Sequence, residues 1–158
     1  MRLDGLEVLP DALVRLTSLG SLTIKCCDKL RELPRGIGKL GALKKLTLWE
    51  LNELQEMPDL IGLTALGRLT IGNCNKLRAL PRGIGKLGAL IRLELNELQE
   101  MPDLIGLTSL GSLTIQWCRK LRALSRGIGK LGVLRELTLR GLNELQEMPD
   151  TIGRMITL

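Results

Sequence analysis

Side chains that could carry out catalysis are scarce in this sequence. The 158 residues include no histidine, so the chain alone cannot form a Ser–His–Asp triad, a Cys–His pair or a Cys/His zinc site. Glu53, Glu56 and Asp59, with their copies, are the only dense carboxylates, whereas acid–base catalysis needs two carboxylates in one pocket with separated pKa values. We expect these carboxylates on a repeating outer face, opposite Lys and Arg. The sequence therefore predicts that the protein is not an enzyme.

A glycine motif of the dinucleotide-binding type, G-x-G-x-x-G, occurs at residues 36–41, 83–88 and 127–132. In a dinucleotide site the motif follows a strand and opens a helix, so that the phosphate meets the helix N-terminus. Here each copy follows a Pro or a Ser and carries Ile and Leu at positions expected to point inward. A single cofactor site does not need three copies, so we predict no bound cofactor.

The cysteines predict buried, reduced thiols. Cys27, Cys74 and Cys118 occupy equivalent places two repeats apart in the chain, which corresponds to two strand spacings, or about 10 Å. A disulfide needs Cα atoms within about 7 Å, so these residues should not pair, and no C-x-x-C metal motif is present. Reduced thiols favour a reducing compartment, which predicts a cytoplasmic protein. Cys26 is expected to point outward.

A repeat positions all of these residues. The segment 30–40 (LRELPRGIGKL) returns from Leu77 and Leu121, and a second version, which begins LQEMPD at Leu54, returns from Leu98 and Leu145. The consensus is L-x-x-L-P-x-x-I-G-x-L-x-x-L-x-x-L-x-L-x-x-C. Equivalent slots filled by the same side chain explain why 44% of the residues are hydrophobic but only 1% are aromatic. The repeats start near residues 6, 30, 54, 77, 98, 121 and 145.

Each repeat predicts one strand and one return. The alternation of L-x-L, as in Leu22-Thr23-Ile24, is typical of a short strand with one buried face. The apolar residues three apart that begin at Ile37 favour a 3₁₀ or loosely helical return. One such unit cannot bury its apolar face alone, but stacked copies can. We therefore predict one parallel sheet with strands near residues 21–25, 45–49, 68–72, 92–96, 112–116 and 136–140.

The segment Leu19-x-x-Leu22-x-Ile24-x-x-Cys27 and its counterparts resemble leucine-rich repeats over essentially the whole chain. The extension at residues 33–40 (LPRGIGKL) is similar to the subtype in plant intracellular immune receptors and plant Ras-group leucine-rich-repeat proteins. The resemblance implies an α/β solenoid, a curved horseshoe of about six to seven repeats that forms a single domain over residues 1–158. A parallel β-sheet would line its concave face, with 3₁₀, short helical or irregular returns on the convex face. It also implies that the concave sheet binds other proteins.

Two departures from the consensus are expected to matter. After Leu95 three residues are missing relative to the segments that follow Leu48 and Leu139. We expect a kink or narrowing at this fourth repeat, where the chain would turn without the usual inward Leu or Cys. No polar capping segment is visible at either end, so we also expect the domain to lack one or both caps.

The net charge of +6 is arranged in alternating columns. Residues equivalent across repeats lie about 5 Å apart when their strands are neighbours, so each column predicts a ladder of opposite charges that fixes the register. One column follows the Pro positions, namely Asp11, Arg35, Asp59, Arg82, Asp103, Arg126 and Asp150. The other consists of Lys29, Glu53, Lys76, Glu97, Lys120 and Glu144.

The outward strand positions supply the candidate binding surface. Lys45, Arg68 and Arg92 should form a basic cluster on adjacent strands, with Trp49 beside it and Trp117 near the edge. Trp and Arg are over-represented among binding hot spots. The alternative that these residues have merely drifted, with Trp49 covering apolar stems, stays open. The candidate protein-binding residues are Lys45, Trp49, Arg68, Arg92, Gln116, Trp117 and Arg140.

The functional hypothesis is a non-catalytic protein-recognition module, the ligand-sensing or scaffolding part of an intracellular immune or signalling protein. The alternative is a self-associating structural solenoid, including a synthetic or fragmentary array, that forms homo-oligomers through uncapped ends. A nucleic-acid partner is disfavoured because the aromatic platforms of single-strand binding are missing. No apolar run approaches the ~18 residues of a membrane span, so no membrane partner is predicted.

Overall fold

The computed structural model describes residues 5–150 and residue 152. Its strands form one six-stranded sheet in the order β1-β2-β3-β4-β5-β6, and every neighbouring pair is parallel. All six predicted strands are confirmed at their predicted residues. They are β1 (Ser21–Lys25), β2 (Lys45–Trp49), β3 (Arg68–Gly72), β4 (Arg92–Asn96), β5 (Ser112–Gln116) and β6 (Glu136–Arg140).

The sheet places one kind of side chain on each face. The second and fourth residues of a strand, such as Leu46 and Leu48 of β2, point into the core and are fully buried. The register aligns these residues with their counterparts on the next strand, for example Leu46 with Leu69. Because side chains alternate between faces along a strand, the first, third and fifth residues of each strand form three rows on the opposite face.

The returns take two forms. 3₁₀ helices occupy Asp11–Arg15, Arg35–Lys39, Arg82–Lys86 and Arg126–Lys130, as the spacing of apolar residues predicts. The returns that follow Pro58 and Pro102 are turns in which Asp59 Oδ1 and Asp103 Oδ1 accept the N–H two residues further on, at 2.9 and 3.0 Å.

The length of a return explains which form it takes. Leu43 follows Pro34 by nine positions, whereas Leu66 follows Pro58 by eight. The shorter return has one residue fewer with which to close a helical turn.

Glycines let neighbouring returns approach backbone to backbone. A Cβ atom on Gly62 would collide with the carbonyl of Gly38, and one on Gly106 would collide with the carbonyl of Gly85. Gly38 and Gly85 are the second glycines of two G-x-G-x-x-G copies. A Cβ atom on Gly38 would lie 3.1 Å from Asp59 O, and one on Gly85 would lie 3.0 Å from Asp103 O, so these glycines also serve close packing of the chain.

The short fourth repeat alters the sheet locally. β3 and β4 share four register pairs, whereas the other neighbouring strands share five. The expectation that this repeat lacks an inward residue is wrong, since Leu98 is only 1% exposed. Leu98 follows Glu97 as Leu51 follows Glu50, and precedes Gln99 as Leu54 precedes Gln55. Leu98 therefore stands alone where the second repeat has two leucines, Leu51 and Leu54.

The predicted absence of caps concerns both ends of the chain. Residues 1–4, 151 and 153–158 lie outside the described residues, so this expectation stays a prediction.

Candidate functional site

The three outward rows of the sheet are in the predicted register. The first row runs Ser21, Lys45, Arg68, Arg92, Ser112 and Glu136. The middle row is mostly threonine, and its Thr70 Oγ1 donates to Glu94 Oε2 at 3.3 Å. The middle row is thus largely neutral, and the charges of this face lie in the first row and at the two ends of the third row, Lys25 and Arg140.

The basic cluster of the first row is only partly neutralised. Arg92 Nη2 lies 3.7 Å from Glu136 Oε2, a reach that crosses Ser112 of the intervening strand β5. Lys45 and Arg68, which are paired in register, are both exposed. Neither forms an ion pair with any described side chain. The site therefore has two neighbouring cations without a counter-charge, rather than three.

Trp49 lies flat on the sheet instead of projecting from it. A Cβ atom on Gly72, its register partner on β3, would collide with the indole ring. The ring therefore covers the glycine and is only partly exposed. Trp49 is therefore an apolar surface of the third row, about 13 Å along the strand from Lys45 of the first row, rather than a direct neighbour of the basic cluster.

The remaining predicted residues lie towards the other end of the sheet. Gln116 and Arg140 are paired in register in the third row. Trp117 follows β5 directly, and its ring lies against Gly141 of the next repeat. With 52% of its surface exposed, Trp117 is a more accessible aromatic surface than Trp49.

A fourth row, which sequence reasoning missed, borders the sheet. The residue after each strand has a left-handed backbone, with φ between 52° and 66°, a conformation that costs non-glycine residues about 1–2 kcal/mol. Backbone hydrogen bonds compensate, since Trp117 N donates to Arg140 O at 2.8 Å and Cys26 N to Trp49 O at 3.0 Å. Only the Asn and Gly of this row carry a sequence signal for the conformation. Its members are Cys26, Glu50, Asn73, Glu97, Trp117 and Gly141.

The predicted charge ladder is present in part. Lys76 Nζ lies 2.7 Å from Glu53 Oε1. Glu97 leaves the ladder because it occupies the fourth row, where its Oε2 atom is buried without a hydrogen-bond partner. The three missing residues therefore convert a surface carboxylate into a partly buried one.

The inward cysteines lie in the core, as predicted. Burial raises the pKa of the Cys74 thiol from 9.0 to about 11, and the charge of Glu97 adds to the rise. Burial is also the largest cause of the raised pKa of Cys118. Cys26, expected to point outward, is half-buried and donates to Glu50 Oε2 at 3.0 Å.

Open grooves border the short repeat. Gln99, which follows Leu98, lines each of three neighbouring grooves. The largest has a volume of about 1290 Å³ and is walled by Met57, Pro81 and Met101. The smallest, of about 260 Å³, lies against Glu97 and Trp117. The shortening of one repeat thus coincides with a depression at the edge of the sheet.

Within the described part of the chain, no group of three or more Cys, Asp or Glu side chains could hold a metal ion. None of the described helices has the length and apolar character needed to cross a membrane.

These features define a curved leucine-rich-repeat solenoid. The leucine-rich-repeat domain of the type III effector XopL is similar, with a TM-score of 0.81 and 33% identity over 94% of this chain and 53% of that one. This chain thus spans about half the length of that domain. The fold of that domain is the leucine-rich repeat, which generally serves as a scaffold for protein interaction.

More distant neighbours share less of the geometry. An internalin, InlF of Listeria monocytogenes, has a TM-score of 0.48 and 16% identity over 92% of this chain and 54% of that one. The ectodomain of the Arabidopsis thaliana receptor kinase GASSHO1/SCHENGEN3 has a TM-score of 0.41 and 17% identity over 94% of this chain and 30% of that one. No protein-family model and no curated protein sequence matches the chain.

Proposed function

We propose that this protein is a non-catalytic recognition module whose concave sheet binds an acidic segment of a partner protein. The observation that carries the proposal is the exposed, register-paired couple Lys45 and Arg68 on β2 and β3. Neighbouring strands lie about 4.8 Å apart, so two like charges are held side by side. A carboxylate from a partner relieves that repulsion.

The expected energetics favour specificity over raw affinity. Exposed ion pairs contribute only about 0–1 kcal/mol each, but complementary charges speed association and disfavour wrong partners. The indole of Trp49 supplies an apolar surface at the other end of the same strand, and large aromatic side chains often anchor interfaces. The predicted binding residues Arg92, Gln116, Trp117 and Arg140 extend this surface across the sheet.

Charge reversal tests the proposal. We expect Lys45→Glu/Arg68→Glu to lower capture of the partner from cell extract by about tenfold or more, because like charges across an interface cost several kcal/mol. Lys39→Glu/Lys86→Glu is the matched control, since it makes the same charge change on exposed residues of the 3₁₀ returns. Equal loss in both variants, or in neither, contradicts recognition through this face.

The biological setting is also part of the proposal. We infer the ligand-sensing or scaffolding part of an intracellular immune or signalling protein, in the cytoplasm. Support comes from the plant-type repeat consensus, from the likeness to a type III effector domain and from the buried thiols of Cys74 and Cys118, which suit a reducing compartment.

Self-association through the ends of the solenoid is the second candidate. One observation favours it: Leu22 of β1 and Leu137 and Leu139 of β6 are only partly buried, whereas their counterparts in β2–β5 are fully buried. Light scattering tests this candidate. A mass that rises with concentration supports it, and a constant monomer mass contradicts it.

A further inference from the structure

The smallest of the three grooves has walls of mixed chemistry. This notch lies at the carboxyl edge of the sheet and is lined by Asn75, Glu97, Gln99, Trp117, Arg119 and Lys120. Its volume of about 260 Å³ suits one long side chain rather than a drug-sized ligand, whose pockets measure about 300–1,000 Å³. It adjoins the concave rows, since Glu97 and Trp117 follow the last residues of β4 and β5.

The carboxylate of Glu97 is the unsatisfied group of the notch. Its Oε2 atom is buried and accepts no hydrogen bond, and such groups in native proteins usually have a partner that remains to be identified. The thiols of Cys74 and Cys118, whose pKa values its charge raises, are not the missing donors because both already donate elsewhere. Cys74 donates to Gly72 O at 3.4 Å and Cys118 to Gln116 O at 3.4 Å. Glu97 as a whole is only partly buried, and its terminal torsion is soft, so a donor in the notch can reach the carboxylate.

Trp117 makes the site selective for a flat cation. Its ring lies against Gly141, yet 52% of its surface stays exposed. A cation over an indole face gains about 0.5–1 kcal/mol or more. A guanidinium group both stacks on such a ring and offers a fork of N–H donors to a carboxylate, whereas an ammonium group does not stack.

The cations on the rim do not prevent this binding. Arg119 and Lys120 are exposed, and water and salt screen exposed charges far more than buried ones. The equivalent carboxylate of the second repeat is already occupied, since Glu50 Oε2 accepts from Cys26. A buried carboxylate oxygen that still lacks a donor is therefore a property of the short repeat.

We propose that the notch between Glu97 and Trp117 is a subsite for an arginine side chain of the partner protein. The guanidinium stacks on the indole and donates to the carboxylate, while Arg119 and Lys120 face the polar backbone or acidic neighbours of that arginine. This inference rests on the proposed function in one respect, namely that the arginine belongs to a partner protein. A small-molecule probe tests it without the partner.

The experiment follows the two indole N–H resonances of the protein by NMR, assigned with Trp49→Phe. N-acetyl-arginine amide is titrated to ~50 mM, which detects complexes with a Kd in the millimolar range. The neutral analogue N-acetyl-citrulline amide and inorganic phosphate are titrated in parallel. We expect the arginine probe to shift the Trp117 resonance in a saturable way, with at least a tenfold smaller effect from citrulline and none from phosphate.

Variants complete the test. Glu97→Gln should abolish the saturable shift, whereas Glu50→Gln, at the same fourth-row position, should leave it unchanged. The proposal is overturned by an absent shift, by equal shifts with arginine and citrulline, by a response to phosphate alone, or by a shift that survives Glu97→Gln. The two proposals can fail separately. If the arginine probe causes no shift but Lys45→Glu/Arg68→Glu still loses the partner protein, the subsite is overturned and the proposed function stands.

Discussion

The indole ring of Trp49 lies over Gly72 on the neighbouring strand, in the space that a Cβ atom would need. Trp117 and Gly141 repeat this relationship three repeats further on. On the convex side, Ile61 packs in the same way on Gly83, and Ile105 on Gly127. In each case a bulky side chain of one repeat requires a glycine in the next, so the repeats are complementary neighbours rather than interchangeable copies.

The Trp49–Gly72 relationship predicts the effect of a single methyl group. Gly72→Ala should push the indole off the sheet, shift its fluorescence to the red and destabilise the fold by about 1–3 kcal/mol, as overpacking does. Gly88→Ala is the control, because a Cβ atom there meets nothing within 4 Å. An unchanged Trp49 emission in Gly72→Ala would show that the ring does not cover this glycine.

The glycine pairs of the returns predict a second loss of stability. Gly62→Ala and Gly106→Ala should each lower the free energy of unfolding in urea by about 1–3 kcal/mol or more, since the obstacle is a backbone carbonyl. Gly132→Ala, where a Cβ atom has open space, should change stability by less than about 0.5 kcal/mol. Equal stabilities of all three variants would refute the backbone contact.

The raised pKa of Cys74 predicts a pH dependence of stability. An unfolded thiol ionises near 9.0 and the folded one near 11, so the unfolded state releases its proton first as the pH rises. The contribution of this thiol to the free energy of unfolding is fully present below pH 9.0. It is lost between pH 9.0 and about 11, by about 3 kcal/mol in total. Cys74→Ala should lose correspondingly less stability over this interval. Identical pH profiles of the two proteins would contradict the assignment.

The ion pair between Arg92 and Glu136 predicts a gain of binding. Glu136→Gln frees Arg92 to face a partner, so affinity for an acidic partner should rise several-fold, mainly through faster association. Because the pair is exposed, stability should fall by no more than about 1 kcal/mol. Surface plasmon resonance with the captured partner measures both rate constants, and slower association in this variant would argue against an acidic ligand.

Restoring the missing residues tests the role of the short repeat. Insertion of Leu-Asn-Glu after Glu97 recreates the pattern found at Leu51–Leu54. We expect the fifth register pair of β3 and β4 to form, which hydrogen exchange of the Asn96 region detects, and the arginine probe to stop binding. If the notch still binds arginine in this variant, the site does not depend on the absence of these three residues.

The period-two alternation and the repeat spacing predicted every strand and its register, because a one-residue slip would expose the whole leucine row. They also predicted the buried cysteines and placed Lys45 beside Arg68. These features depend on the backbone period alone.

Other features depend on how particular side chains meet between repeats. Nothing local in the sequence indicates that Trp49 lies flat, that Arg92 reaches past Ser112 to Glu136, or that Glu97 turns inward. The left-handed conformation of Cys26, Glu50, Glu97 and Trp117 contradicts their local preference. It is imposed by the hydrogen bonds that extend the sheet.

The most direct test of recognition through the concave sheet is site-specific photo-crosslinking in cells. A benzophenone amino acid at Ser21, the exposed register partner of Lys45, should crosslink a partner protein, and the same group at Lys39 on the convex return should not. The crosslink at Ser21 should disappear when Lys45→Glu/Arg68→Glu is added. A partner captured from Lys39 but not from Ser21 would contradict the account.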